Sequence, residues 1–249
     1  MSNDEKKRSQ ITPKYIPLEG LPYYSILYTD RRFTQSAKKG RHKTVEYIDT
    51  FIAELPADVT PLDYYYILET KFIHLCYVKL VTEALATLDD MKQIGIPDGD
   101  GLESQIAKYL YYELEQIELA LEYLDTDLRF ARKMDKPVEY KLRYMRYIMS
   151  FRVLILAETA PDSQRLVHAL DELCEISYAA CYSNEPLTKA IRILLPLNRF
   201  PYTCVNIVYA IWHELMEEAR FGLEANAHCI EELEWWLQNI PDRCELGNC

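Results

Sequence analysis

The stretch ESQIAKYLYYELEQIELALEYLDTDLRFARKM, residues 103–134, sets the fold class of this chain. Apolar residues recur in it three and four positions apart, and this spacing places them on one face of an α-helix. No Gly or Pro interrupts the pattern, and Asp135-Lys136-Pro137 closes it. The stretch therefore predicts one long amphipathic helix.

Helical patterns continue on both sides of this stretch. Upstream, Gly40 separates two of them, and Thr60-Pro61 is typical of an N-cap followed by the first turn of a helix. The predicted helices outside 103–134 are residues 29–38, 43–55, 62–91, 138–159, 163–182, 190–200, 202–221 and 224–240. The short loops between them favour antiparallel neighbours. The sequence thus predicts an all-α protein of about nine antiparallel helices.

Three regions differ in composition. The N-terminal region is charged and then carries prolines at 13, 17 and 22, which predicts a flexible or extended arm over residues 1–28. Residues 29–240 read as a single helical domain, and residues 241–249 as a short tail.

The composition excludes several classes of protein. The net charge of −11 disfavours nucleic acid and membrane surfaces as partners, since both attract clustered Lys and Arg. No apolar run reaches the roughly 20 residues of a membrane span. Seven Cys without a CxxC pair or a secretory signal predict reduced thiols in a cytoplasmic protein.

Catalytic and metal-binding motifs are missing from the sequence. His213 begins a zinc-like HExx pattern that lacks its second His, so a solvated acidic face is the better interpretation. The acidic segment 113–123 lacks the ExxH pairs of a di-iron site, and its carboxylates are expected at the surface. His74 is expected to be a hydrogen-bonded core histidine. We expect neither an enzyme nor a bound metal or cofactor.

Basic residues inside apolar helices are more informative. Lys71 and Lys79 are eight positions apart, about 80° around a continuous helix, so we expect them to share a face. Arg143, Arg146 and Arg152 punctuate an apolar stretch. Such cations either pair with the abundant carboxylates or converge on a phosphate or carboxylate of a partner.

Several segments, taken in order, resemble the 14-3-3 family of phosphopeptide-binding adaptors. AIRILLPLNRF, residues 190–200, is similar to the signature helix of that family, with Ile191, Arg192, Leu195, Leu197 and Asn198 in register. The other similar segments are SAKKGRHKTVEYIDTFIAEL at 36–55, YELEQIELALEYLDTDL at 112–128 and CEISYAA at 174–180.

The resemblance implies a cup of nine antiparallel helices that dimerises through its N-terminal helices. It further implies a concave groove that holds phosphoserine or phosphothreonine segments of partner proteins. Lys71 and Lys79 would take the place of the basic residues of the third helix, and Asn198 would hold the peptide backbone. The Arg-Tyr pair of the fifth helix matches Arg146-Tyr147 by dipeptide, whereas Arg152 matches it by distance to Asn198. These two arginines lie about 120° apart around a helix, so only one should face the groove.

Two departures from the family pattern leave an alternative open. The basic motif of the third helix is replaced by Lys71 and Lys79, and a Lys lacks the bidentate fork of an Arg. Pro196 interrupts the signature helix and should kink it. The alternative function is therefore a helical scaffold of the same fold that binds partners without reading phosphate. The sequence decides neither the identity of the partner nor between a homodimer and a heterodimer.

Overall fold

A computed structural model describes residues 21–95, 102–176 and 185–194, with a few further positions between 209 and 238. All regular structure in this described part is helical, and it contains no strand, so the all-α prediction is confirmed. The described residues between Pro22 and Leu194 form ten helices. They are α1 (Pro22–Thr29), α2 (Arg31–Lys39), α3 (Arg41–Ala53), α4 (Pro61–Tyr77), α5 (Val81–Ile94), α6 (Leu102–Tyr112), α7 (Ile117–Lys133), α8 (Val138–Thr159), α9 (Gln164–Glu175) and α10 (Glu185–Leu194).

The chain divides into two compact units, Met1–Asp98 and Gly99–Cys249, whereas the sequence predicts one domain over 29–240. In the first unit, α4 packs against α1, α3 and α5, and α2 packs against α3. Among the described helices of the second, α8 packs against α7, α9 and α10. Within the described residues, no helix combines the length and apolar character needed to cross a membrane.

The end of the predicted arm is a helix. α1 covers residues 22–29, and its Tyr24 and Leu27 are buried in the core of the first unit. Pro22 is the first residue of α1, a position where the missing N–H costs nothing because no helical partner exists for it. The arm prediction is therefore wrong for 22–28, and the rest of the predicted arm lies outside the described residues.

A buried carboxylate holds α1 against α4. Asp63 is fully buried, and its two oxygens accept hydrogen bonds from the backbone N–H groups of Tyr23 (2.9 Å) and Tyr24 (2.7 Å). These N–H groups belong to the first turn of α1, which has no intrahelical acceptors for them and carries the positive end of the helix dipole. Thr60 caps α4 as predicted, because its Oγ1 accepts from the Asp63 N–H at 3.2 Å.

The predicted single helix over 62–91 is wrong, because it breaks between Tyr77 and Val81. Lys79 has a φ of 62°, the left-handed conformation in which Gly normally ends a helix. The N–H of Leu80 donates to the carbonyl of Leu75 at 3.2 Å, and the N–H of Lys79 donates to that of Cys76 at 3.0 Å. This pair of bonds is a Schellman C-cap, and it lets α5 turn back and pack against α4.

Residues 103–134 also contain a break at a residue of positive φ. Residues 103–134 form α6 and α7, separated at 113–116, so the prediction of one helix there is also wrong. Glu115 has a φ of 56°, and the N–H of Gln116 donates to the carbonyl of Leu110 at 2.8 Å. α6 and α7 pack against each other as a helical hairpin.

Most other boundaries agree with the sequence. Gly40, with a φ of 113°, separates α2 from α3, and α8 has the predicted bounds Val138–Thr159. Ser163 caps α9 by accepting from the N–H of Leu166. α9 ends at Glu175 rather than continuing to residue 182, and residues 177–184 lie outside the described part.

Candidate functional site

Lys71 and Lys79 do not share a helix face, contrary to the expectation from their spacing. Lys71 lies on α4, whereas Lys79 lies in the turn after that helix has ended. The Lys71 Nζ is 2.7 Å from Oδ1 of Asp49 on α3, and the Lys71 side chain is 24% exposed. Its charge is thus matched by a carboxylate from the neighbouring helix.

The two candidate arginines of α8 differ sharply in exposure. Arg146 is 1% exposed and counts among the largest fully buried side chains of the described residues. Arg152 is 20% exposed and reaches the surface. As the sequence led us to expect, the two residues lie on different faces of α8, and Arg152 is the one that a partner can reach.

Two carboxylates from flanking helices hold Arg152. Its Nη1 donates to Oε2 of Glu172 on α9 at 2.8 Å, and its Nε lies 3.5 Å from Oδ1 of Asp125 on α7. Their side chains are 43% and 49% exposed, respectively. Sequence reasoning missed Asp125 and Glu172, because nothing in local spacing indicates which of many acidic residues meets a given arginine across three helices.

Tyr147 lies beside a lysine. The Nζ of Lys108, on α6, is 5.0 Å from the centroid of the Tyr147 ring, within cation–π range. Burial lowers the pKa of Lys108, and the nearby Glu185 opposes this shift. Tyr147 is half-buried, so a face of this lysine–aromatic pair remains accessible.

A buried hydrogen-bond network fixes α8 against α6 and α7. The Tyr144 hydroxyl donates to both oxygens of Asp127, at 2.7 and 2.8 Å, and the Ser104 N–H donates to Oδ2 at 3.1 Å. Burial raises the pKa of Asp127, and the bonds from Tyr144 and Ser104 act in the opposite direction. These contacts are two turns before Arg152 on α8 and hold the helix that presents it.

The histidines give little support for a metal site. Burial and the nearby Arg41 lower the pKa of His74 to about 4, so the ring is neutral at physiological pH. Its Nδ1 is buried without a hydrogen-bond partner, so the expected hydrogen bond is not found at that atom. His213 is exposed, and among the described residues no group of three or more His, Cys, Asp or Glu side chains could hold a metal ion.

Two residues of the predicted signature helix lie outside the part of the chain that the structure describes. Asn198, the candidate contact for a peptide backbone, and Pro196 both lie outside the described residues. Of the segment AIRILLPLNRF, the structure describes the first five residues, which form the end of α10. Ile191 and Leu194 are buried there, whereas Arg192 is exposed.

The chain matches no family model, no curated protein and no solved structure. The likeness to 14-3-3 proteins therefore depends on the segments quoted above.

A second basic feature lies in the first unit and was not predicted from the sequence. Residues 31–43 carry Arg31, Arg32, Lys38, Lys39, Arg41 and Lys43 and contain no Asp or Glu. The signal was visible in the sequence as a run of cations in an acidic protein. Its meaning depends on the packing of α2 against α3, which the sequence does not give.

Proposed function

We propose that this protein is a non-catalytic adaptor that binds phosphoserine or phosphothreonine segments of partner proteins, with Arg152 as a phosphate contact. The observation that carries the proposal is the accessible Arg152 guanidinium, held in place by two carboxylates at the surface of α8. The resemblance of several segments, in the same order along the chain, to segments of 14-3-3 proteins supports phosphorylated segments as the ligand. It also supports a homodimer formed through the N-terminal helices and a cytoplasmic location.

The ion pairs of Arg152 do not prevent it from contacting phosphate. Partly exposed ion pairs contribute only about 0–1 kcal/mol, because solvent screens them. A phosphate carries about two negative charges and accepts paired hydrogen bonds from a guanidinium, which makes it the stronger partner. Glu172 and Asp125 can rotate into solvent when it arrives, since both are more than two-fifths exposed.

Fluorescence anisotropy with a phosphoserine peptide library and its unphosphorylated counterparts tests this function. We expect selective binding of phosphorylated members and a loss of about tenfold or more in Arg152→Gln, the loss of one charge-assisted contact. Arg165→Gln is the matched control, because Arg165 forms a similar ion pair with Glu118 at 3.0 Å but is 53% exposed and lies on α9. Equal, negligible binding of both peptide sets would reject phosphate reading.

A second candidate is the scaffold that binds partners without phosphate. The pairing of Lys71 with Asp49 and of Arg152 with Glu172 favours it, because both cations are already neutralised. Its test is capture of a partner before and after phosphatase treatment, together with Lys79→Glu. Unchanged capture in both cases supports the scaffold, whereas loss after phosphatase treatment favours the phosphate-reading adaptor.

A further inference from the structure

The cations of residues 31–43 stand out against the charge of the rest of the protein. Without these six, 22 Lys and Arg face 39 Asp and Glu, a balance of −17. Arg31, Arg32, Lys38, Lys39 and Lys43 are exposed. Arg31, Lys38 and Lys39 form no ion pair with any described residue. A local excess of positive charge therefore persists at this surface.

A shallow cleft of about 310 Å³ lies between α2 and α3, and three of these cations line it. The lining residues of α2 are three or four positions apart, and so are those of α3, so each helix contributes one face to the cleft. The lining residues are Arg32, Gln35, Ser36, Lys39, Lys43, Glu46, Tyr47 and Thr50.

Two lining side chains of the cleft, Arg32 and Tyr47, are anchored. Phe33, buried on α2, packs near Tyr47, and the Tyr47 hydroxyl donates to Asp30 at 2.8 Å. The Arg32 guanidinium lies 5.4 Å from the Tyr47 ring centroid and 2.9 Å from Asp30. The Arg32 side chain, through its hydrogen bond, lowers the pKa of Asp30 to about 2, so this pair stays charged across the physiological range.

We propose that the α2–α3 cleft is a second binding site, which takes a short acidic segment of a partner protein in polyproline II conformation. Arg32 and Lys39 are seven positions apart on α2, or about 10 Å along its axis. One turn of a polyproline II helix has three residues and rises about 9 Å, so every third side chain lies on one face at a similar spacing. Carboxylates at every third position would therefore meet these two cations, with Lys43 contributing from α3.

The acidic groups around the cleft argue against a long polyanion. Glu46 lies in the cleft, paired with Lys43 at 2.6 Å, and Glu54 lies 3.5 Å from Arg32. A phosphate backbone or an anionic lipid surface would meet these carboxylates as well as the cations. A short segment with spaced carboxylates can contact the cations and leave the acidic positions to solvent.

The test uses a labelled Gly/Ser peptide with Glu at every third position, and a control peptide of the same composition with its Glu residues adjacent. Anisotropy titrations are made with the full chain. We expect the spaced peptide to bind more tightly, and the Lys39→Glu/Lys43→Glu variant to lose about tenfold or more, since each reversal removes an attraction and adds a repulsion. Lys136→Glu is the matched control for an exposed lysine outside the cleft, and it should bind as the parent does.

The neutral variant Lys39→Gln controls for misfolding of the charge-reversed variant. It should show an intermediate loss of peptide affinity and an unchanged thermal unfolding curve. Equal binding of the two peptides, or equal losses in the cleft variant and in Lys136→Glu, would overturn the proposal. So would binding of single-stranded RNA or phosphatidylserine vesicles without binding of the spaced peptide. Loss of self-association in the cleft variant, without any peptide binding, would assign the cleft to a second copy of the chain instead.

Discussion

Lys79 offers a sharp test of the break between α4 and α5. At a φ of 62°, a side chain with a Cβ is strained by about 1 kcal/mol or more, and Gly is not. Gly also makes the unfolded chain more flexible, which costs about 0.4–1 kcal/mol. We therefore expect Lys79→Gly to be more stable than Lys79→Ala by about 0.5 kcal/mol. In a continuous helix the order would reverse, with Ala more stable by about 1 kcal/mol.

Comparison of these two variants removes the contribution of the lysine side chain, which both lack. The assay is urea unfolding followed by far-ultraviolet circular dichroism at constant pH and salt. Ala86→Gly, at an exposed position inside α5, is the control and should destabilise by about 1 kcal/mol. If Lys79→Gly were less stable than Lys79→Ala by a similar amount, residues 62–91 would form one helix and the hairpin would be refuted.

Two further predictions concern carboxylates of the first unit, namely Asp63, which is buried, and Glu69, which is half-buried. Asp63→Ala should lower the free energy of unfolding by about 3 kcal/mol, because two backbone N–H groups of α1 lose a charged acceptor, and Asp63→Asn should lower it by about half as much. The rate of hydrogen exchange at the Tyr24 amide should rise in parallel, and an unchanged rate would contradict the capping role. Burial raises the pKa of Glu69 to about 7, so folding binds a proton between pH 4.5 and 7 and stability falls as the pH rises through this window. Glu69→Gln should remove that fall, so that the variant is more stable than the parent by about 1–2 kcal/mol above pH 7 and equally stable near pH 4. Urea unfolding at each pH measures the difference, and a difference that does not depend on pH would contradict the prediction.

The sequence predicted helices and boundaries where a side chain acts locally. Thr60 and Ser163 cap the helices that follow them, and Gly40 supplies the positive φ between α2 and α3. Each of these signals depends on one or two residues and their own backbone, so reading them requires no tertiary information.

The missed breaks have a common physical cause. Lys79 and Glu115 adopt left-handed conformations that neither residue favours, so the surrounding packing must hold them there. α4 packs against α5 and α6 against α7, and the burial of these faces outweighs the local strain. At Pro22 the error was the reverse, because a helix was present where none was predicted. Pro disrupts the interior of a helix but is compatible with its first turn.

The candidate site shows the same limit. Spacing alone indicated that Arg146 and Arg152 lie on different faces of α8, and burial then separates them. The partners Asp125 and Glu172 come from helices α7 and α9, so only the packing of three helices reveals them.

The central claim is that Arg152 contacts the phosphate of a bound segment. Arginine Nε–H signals in a ¹⁵N correlation spectrum report this most directly, with the Arg152 signal assigned through Arg152→Lys. We expect titration with a phosphoserine peptide that binds in the library screen to shift the Arg152 signal and leave Arg146 unchanged, whereas the unphosphorylated peptide should shift neither. A bound phosphopeptide that leaves the Arg152 signal in place would contradict the account.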